Sequence, residues 1–403
     1  MNGMSRPDRI VEDLQQLLKD DPRLRSDLER SIRQAHDRAA SDLDPTLRDV
    51  LDWPQNLDDY YRYVQNFIRW IPRQSDNPAW RTSSPGERYA KEVSDRLAHF
   101  FWLVDQRDDD GGPAIERSPV FRSWLTDFAR QWGSFLDTPD SFNDDILRSF
   151  LEEAPDYTVE ESLIDGRPNQ PSGWLTFNQF FARELNPGLR PISEPSNNMV
   201  VTSPADCSYR HTYGIDAESN IPATTVKGTH RYGNIRQLLE GSRYADSFAN
   251  GTFVHYMLPP SSYHRYHAPV GGFVRESFVT TGQVYMQVDL VDGQLESKDS
   301  SQSGYEFFQT RGVLVLDTAE SGYGDVGVVA VVPVGMSHVA SVNLTTVTDT
   351  KLPKGEEFGF FAFGGSDIII LFQEGIAQRV DTDAGFCKVG SPIAHLNPAS
   401  PAP

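Results

Sequence analysis

Cysteine is almost absent from this sequence. Cys207 and Cys387 are the only two in 403 residues. Two cannot build a cysteine-rich zinc site or a disulfide framework, and a chain this long can bury a core large enough to fold without either. The usage is that of an intracellular protein, and a cytoplasmic location is expected. Positive charge is scarce as well: 37 Lys and Arg stand against 57 Asp and Glu, a formal net charge of −20. That balance argues against nucleic acid, whose binding needs cations to displace counterions from phosphates. It argues equally against electrostatic docking on an anionic membrane. No apolar run approaches the ~20 residues that cross a bilayer. The most apolar stretch, 326–336, is rich in Val and broken by Pro333, so it reads as a buried strand. The first eight residues hold no apolar signal core, and a soluble protein is expected. Two common catalytic signatures are missing: there is no G-x-S-x-G elbow and no Walker sequence. The one G-x-G-x-x-G match, 322–327, runs into an apolar β-type segment rather than a helix, and reads as a turn between strands.

What is present falls into two textures. Up to about residue 165, apolar residues recur at helical spacing. Val11, Leu14, Leu17 and Leu18 form one such stripe, Tyr60, Tyr61, Val64, Phe67, Ile68 and Ile71 another, and Val120, Trp124, Phe128, Trp132 and Phe135 a third. These aromatics are read as packing between helices. The acidic stretch 105–116 lacks Gly at the sixth position of a calcium loop and carries Arg107 where an oxygen ligand belongs, so it reads as a solvated turn. Residues 173–185 are expected to form one more amphipathic helix, ended by Asn186, Pro187 and Gly188. From about residue 199 onward, short Val-, Ile-, Phe- and Tyr-rich runs alternate with Gly, Pro, Asp and Ser clusters, notably at 251–258, 273–279, 313–316, 326–332 and 368–372. The expected fold class is α+β: a helical region over 1–165 and a β-rich, sandwich- or barrel-like domain over 166–403.

Three segments of the β-rich half could carry chemistry. Asp206 follows Pro204 and Ala205, a setting in which a carboxylate commonly holds a turn together. His264 and His267 sit three apart in a proline-bounded loop. They could ligate a metal, though no third ligand is evident nearby, or be structural, or act as acid and base near neutral pH. Ser366 follows Gly364 and Gly365, and two glycines permit a backbone bend in which the hydroxyl reaches the Gly365 carbonyl; a plain glycine turn between strands is the other reading.

Together these segments resemble the pyruvoyl-dependent phosphatidylserine decarboxylase family. The resemblance covers roughly 173–390. It rests on Tyr263-His264-Arg265-Tyr266-His267-Ala268-Pro269, on Phe363-Gly364-Gly365-Ser366, and on Phe180-Phe181-Ala182-Arg183 with Pro187-Gly188-Leu189-Arg190-Pro191-Ile192. The N-terminal helices, with residues 131–136, resemble the extension of soluble members, some of which act on free amino acids such as tryptophan. The resemblance implies that Ser366 attacks the Gly365 carbonyl, with His267 as base and Asp206 orienting it. The chain would split into 1–365 and 366–403, which stay associated, and Ser366 would become a covalent pyruvoyl group. That group does the electron-sink work that pyridoxal phosphate does elsewhere, with no metal. His264 would deliver a proton to the substrate α-carbon. The implied reaction is decarboxylation of a free L-amino acid, aromatic by preference. The alternative is conversion of phosphatidylserine to phosphatidylethanolamine. Three segments depart from the family pattern: Asp367 stands in place of the usual Thr, Gln309-Thr310-Arg311 in place of Asn-Glu-Arg, and Cys207 in place of Gly.

Overall fold

The computed structural model describes residues 9–80, 91–107, 114–115, 118–226, 230–284, 286, 288–297, 305–335, 342–364, 366–383 and 385–399. The chain divides into two compact units that interleave in sequence. The first takes Met1–Val159, Leu175–Phe177 and Gln283–Asp299, and the second Glu160–Trp174, Asn178–Gly282 and Ser300–Pro403.

The first unit is helical, and several of its helices start where side chains satisfy the free N–H groups of a first turn. Asp21, Asn56, Ser118 and Asn143 each accept backbone N–H groups at the head of Pro22–Asp42, Leu57–Phe67, Pro119–Leu136 and Asp144–Glu153. The helices meet in an aromatic core. The Phe100 ring lies 4.8 Å from both Phe67 and Phe128, and Phe67 lies 5.2 Å from Trp132. The third stripe is turned slightly from its expected face: Phe121, Trp124, Leu125, Phe128, Trp132 and Leu136 are buried, whereas Val120, in the first turn, is exposed. The unit also holds a hairpin, Val288–Val291 with Gln294–Ser297. Asp105 accepts the Val288 N–H at 3.1 Å and is buried, so the acidic stretch starts as a packed, bonded residue rather than a solvated one. Its centre, 108–113, lies outside the described residues.

The second unit is built on an antiparallel eight-stranded sheet. Its order is Lys351–Leu352, Gly272–Thr280, Arg311–Asp317, Val328–Gly335, Ser366–Phe372, Thr252–Leu258, Cys207–Gly214 and Phe386–Cys387. The central strand Ser366–Phe372 is buried at every position because both faces of the sheet are covered. Ile368, Ile370 and Phe372 enter one core with Tyr256, Tyr266, Phe358 and Phe361, while Ile369 and Leu371 enter another with Phe253, Val332 and Val334. Burial on two faces explains the unbroken apolar run, since neither alternate set of side chains meets water. Each large side chain buried here adds about 1.5–3 kcal/mol. A three-stranded sheet, Val342–Leu344, Glu357–Phe361 and Arg265–His267, carries the histidine loop. Residues 322–327 form the turn between Arg311–Asp317 and Val328–Gly335.

One expected helix is much shorter than its pattern. Only Phe177–Phe181 is helical within 173–185. The Asn169 side chain donates to the Glu184 carbonyl at 2.9 Å, the Asn186 N–H to the Glu161 carbonyl at 2.8 Å, and the Asn186 side chain to the Leu163 carbonyl at 2.7 Å. These bonds draw 184–186 onto the 161–169 hairpin and out of a helical path.

Candidate active site

Ser366 opens the central strand, paired with Gly335 on one side and Leu258 on the other. It is wholly buried, and its Oγ has no hydrogen-bond partner among the described residues. A buried hydroxyl without a partner costs free energy, so its retention marks a site where the oxygen has another task. The preceding turn is held in place. The Phe363 N–H donates to Asn178 Oδ1 at 3.1 Å, and Gly364 adopts φ 151°, a value open to glycine. Gly365, the other half of the expected cleavage site, lies outside the described residues.

His264 lies beside that turn. The Phe181 ring packs 4.1 Å from the His264 ring and 5.1 Å, edge-on, from Phe363. His264 is completely buried, and Nδ1 donates to the Ser262 carbonyl at 2.7 Å. A carbonyl can only accept, so the bond leaves Nε2 as the bare nitrogen, and Nε2 too has no partner. Burial pushes the imidazole pKa down to about 3, against the smaller pull of the Ser262 bond.

His267 closes the strand Arg265–His267. Its N–H donates to the Pro204 carbonyl at 2.7 Å, which fastens this strand to the turn that carries Asp206. Nδ1 donates to the Gly355 carbonyl at 2.9 Å, and the Tyr263 hydroxyl lies 3.1 Å from Nε2. Gly355 has φ +81°, and an added Cβ would lie 2.4 Å from Ile192, so only glycine presents its carbonyl here. Burial lowers the His267 pKa, with the Gly355 bond and the Asp206 charge opposing it. The ring is therefore neutral at neutral pH, a form that accepts protons.

Asp206 and His267 are neighbours, but the bond that orients the imidazole comes from Gly355, and Asp206 acts on it through space. The Asp206 carboxylate is held elsewhere. Arg190 Nε donates to Oδ1 at 2.9 Å and Nη2 to Oδ2 at 2.6 Å, and the Val389 N–H donates to Oδ1 at 2.8 Å. The same guanidinium Nη2 reaches Glu161 at 2.6 Å, and Lys388 bonds the other oxygen of Glu161 at 3.1 Å. Such a fork fixes a carboxylate in direction as well as place. Arg190 lies within the family-like Pro187–Ile192 stretch, and no local pattern there assigns it a partner. The residues Tyr263, Gly355 and Asn178 carried no sequence signal beyond their position in or near the matched segments.

Asp367 faces away from Ser366. Its Oδ2 accepts the Tyr305 hydroxyl and lies 3.1 Å from His255 Nε2, a residue on the adjacent strand. All three side chains are buried. Among the described residues, no cluster of three or more His, Cys, Asp or Glu is arranged to hold a metal.

The family model for phosphatidylserine decarboxylase matches residues 177–395, which include all of these groups except Glu161. Phosphatidylserine decarboxylase proenzyme 2 of Oryza sativa subsp. japonica is 29% identical over 250 residues, which are 62% of this chain and 36% of that protein. Phosphatidylserine decarboxylase proenzyme 2 of Komagataella phaffii is 35% identical over 260 residues, 61% of this chain and 24% of that protein. The decarboxylase iboD of Amanita muscaria is 26% identical over 281 residues, 65% of this chain and 79% of that protein. The chain thus spans about a third of the rice relative's length and most of iboD's. With more than half of its residues inside the family model and the serine, histidine and aspartate segments all within that match, the chain belongs to the phosphatidylserine decarboxylase family.

Proposed function

We propose that this chain is a self-processing, pyruvoyl-dependent decarboxylase of a free L-amino acid, with aromatic side chains preferred. The observation that carries the reading is the pair of fully buried atoms without partners, Ser366 Oγ and His264 Nε2, in the segments that match the family. In processing, His267 Nε2 takes the Ser366 proton once the Tyr263 hydroxyl turns aside. Ser366 Oγ attacks the Gly365 carbonyl, and the peptide link becomes an ester. Loss of the Ser366 α-proton and of the Gly365 carboxylate then ends the large chain at 365. Addition of water and release of ammonia leave residue 366 as pyruvoyl. The Gly355 carbonyl and the Asp206 charge both favour the imidazolium that forms on His267.

The pyruvoyl group supplies the electron sink for loss of CO2. The pocket of Ser366 fits it: the side chain is wholly buried, and its oxygen makes no hydrogen bond that processing would have to break. A substrate carboxylate beside His264 favours the imidazolium and so loads Nε2 with a proton. His264 then returns that proton to the α-carbon after CO2 has left.

One observation favours a free amino acid: the net charge of −20, which an anionic lipid surface repels. Phosphatidylserine decarboxylation is the second reading, favoured by the names of the proenzyme relatives. No helix among the described residues is long and apolar enough to cross a membrane. A cytoplasmic location belongs to the same proposal. Intact-mass measurement of the purified protein is the test. Chains 1–365 and 366–403 are expected, the small one with a blocked N-terminus, and neither forms in Ser366→Ala. A single unmodified chain that still decarboxylates overturns the pyruvoyl reading. Release of CO2 from tryptophan, tyrosine or phenylalanine in detergent-free buffer supports the substrate class. Turnover of phosphatidylserine vesicles alone replaces it with the lipid.

A further inference from the structure

We propose that Cys207 and Cys387, the only cysteines of the chain, are a disulfide-forming pair whose oxidation joins the two products of self-cleavage by a covalent bond. The joining of chains rests on the function proposed above, because the expected cut before Ser366 leaves one cysteine on each product. The pairing itself rests on the fold alone.

The two residues are direct partners across neighbouring antiparallel strands, Cys207–Gly214 and Phe386–Cys387. Opposed residues in such a pair point to the same face, with Cα atoms about 4.5–5.5 Å apart, inside the span that a disulfide bridges. Both side chains enter the same core, and both are free thiols. The change in bonding is small. Ser203 Oγ donates to the Ala205 carbonyl at 2.7 Å, so at 3.3 Å the Cys207 thiol is the donor to Ser203 Oγ. Losing that thiol proton leaves the serine still bonded to Ala205.

The place of the pair gives the bond a consequence. Cys207 follows Asp206 directly, and Cys387 lies two residues before Val389, whose N–H holds Asp206. A disulfide would therefore staple together the two segments that position this carboxylate, one from each product chain. Without it, association of the small chain rests on strand pairing and packing.

Access comes from the edge. Phe386–Cys387 is a two-residue strand at the end of the eight-stranded sheet, and Phe386 is 49% exposed. Short edge segments open locally at far lower cost than the central strands. Burial raises both thiol pKa values, so opening of this edge sets the pace. The oxidant is a small-molecule disulfide such as oxidised glutathione. Cys387 thiolate attacks one of its sulfurs, forms a mixed disulfide and expels one glutathione thiolate. Cys207 thiolate then attacks Cys387 Sγ and expels the second. Two protein thiols are oxidised, and one oxidised glutathione becomes two reduced ones.

The test treats mature wild-type protein with oxidised glutathione, quenches it with an alkylating reagent, and compares reducing with non-reducing denaturing gels and intact masses. Without reductant a single species is expected, two hydrogens lighter than the two chains together, which dithiothreitol resolves into 1–365 and 366–403. Cys387→Ser and Cys207→Ser do not link. On strong dilution the oxidised wild type loses activity at least about tenfold more slowly than the reduced form, because a tethered small chain rebinds at high effective concentration. Chains that separate without reductant, with both cysteines alkylated, overturn the proposal. A reduced sample that shows one uncleaved chain overturns the cleavage reading instead. In that case a tryptic peptide linking Cys207 to Cys387 still supports the pair, and alkylated peptides refute it.

Discussion

Ser366 and Asp367 are adjacent in sequence and face opposite sides of the same sheet. Alternation along the strand places Ser366 with Ile368 and Ile370 in one core, and Asp367 with Ile369 and Leu371 in the other, where His255 and Tyr305 hold the carboxylate. A carboxylate next to Ser366 in the chain would be a brake on processing if it faced the developing oxyanion. The pleat separates the two groups by the thickness of the backbone.

It follows that Asp367→Asn cleaves at close to the wild-type rate, because the charge removed does not face the serine. Asp367→Ala removes the acceptor of the Tyr305 hydroxyl and the carboxylate beside His255, and costs roughly 2 kcal/mol of stability. Mass spectrometry follows the first effect and denaturant unfolding the second. Much faster cleavage in Asp367→Asn would show that the carboxylate does act on Ser366.

Arg190 holds Asp206 in a two-toothed grip that a lysine cannot copy. Arg190→Lys is expected to slow self-cleavage roughly tenfold, about 1.4 kcal/mol of transition-state stabilisation, and Arg190→Ala to slow it further. A time course of cleavage after synthesis in a cell-free system reads this directly. An unchanged rate in Arg190→Ala would remove Asp206 and its clamp from the processing machinery.

The two histidines should separate by phenotype. His267→Ala blocks cleavage, since the serine loses its base. His264→Ala still cleaves, at least in part, but decarboxylates poorly. The measurement pairs intact mass with CO2 release for each variant, and the reverse pattern would exchange the two roles.

The proposed role of His267 as base makes self-cleavage pH-dependent. Its pKa lies below the ordinary 6.5 because the ring is buried, so the base stays unprotonated down to that value and below. The cleavage rate should therefore reach its plateau above pH 6.5 and fall to half only below that pH. A half-maximal rate at or above pH 6.5 would contradict the assignment.

Stability carries a second pH signature. Folded His264 titrates at about 3 and an unfolded histidine at 6.5, so between these values the unfolded chain binds more protons. The contribution is fully present above pH 6.5 and is lost as pH falls toward 3, by at most about 1.4 kcal/mol per pH unit. His264→Asn, whose amide can keep the bond to Ser262 without titrating, should show a shallower acid slope in melting temperature than the wild type. Equal slopes would mean that His264 is already protonated in the folded chain.

Much of this protein is written locally. Helical stripes and capping residues announce the N-terminal region. Runs of β-branched and aromatic residues between glycine and proline clusters announce the strands, because a two-residue or 3.6-residue period is a property of neighbours in the chain. The motifs around Asp206, His264, His267 and Ser366 were legible for the same reason. What tertiary structure alone decided is which groups meet. Gly355, not Asp206, bonds His267 Nδ1; Arg190 clamps Asp206; Asn178 holds the turn before the serine; and the helix expected over 173–185 yields after Phe181 to bonds from the 161–169 hairpin. Each of these contacts joins residues far apart in the chain, and their distances depend on strand order and register. No local pattern encodes that order: it is set when the sheet closes on its two cores and buried polar groups take the partners that the closed fold brings within reach.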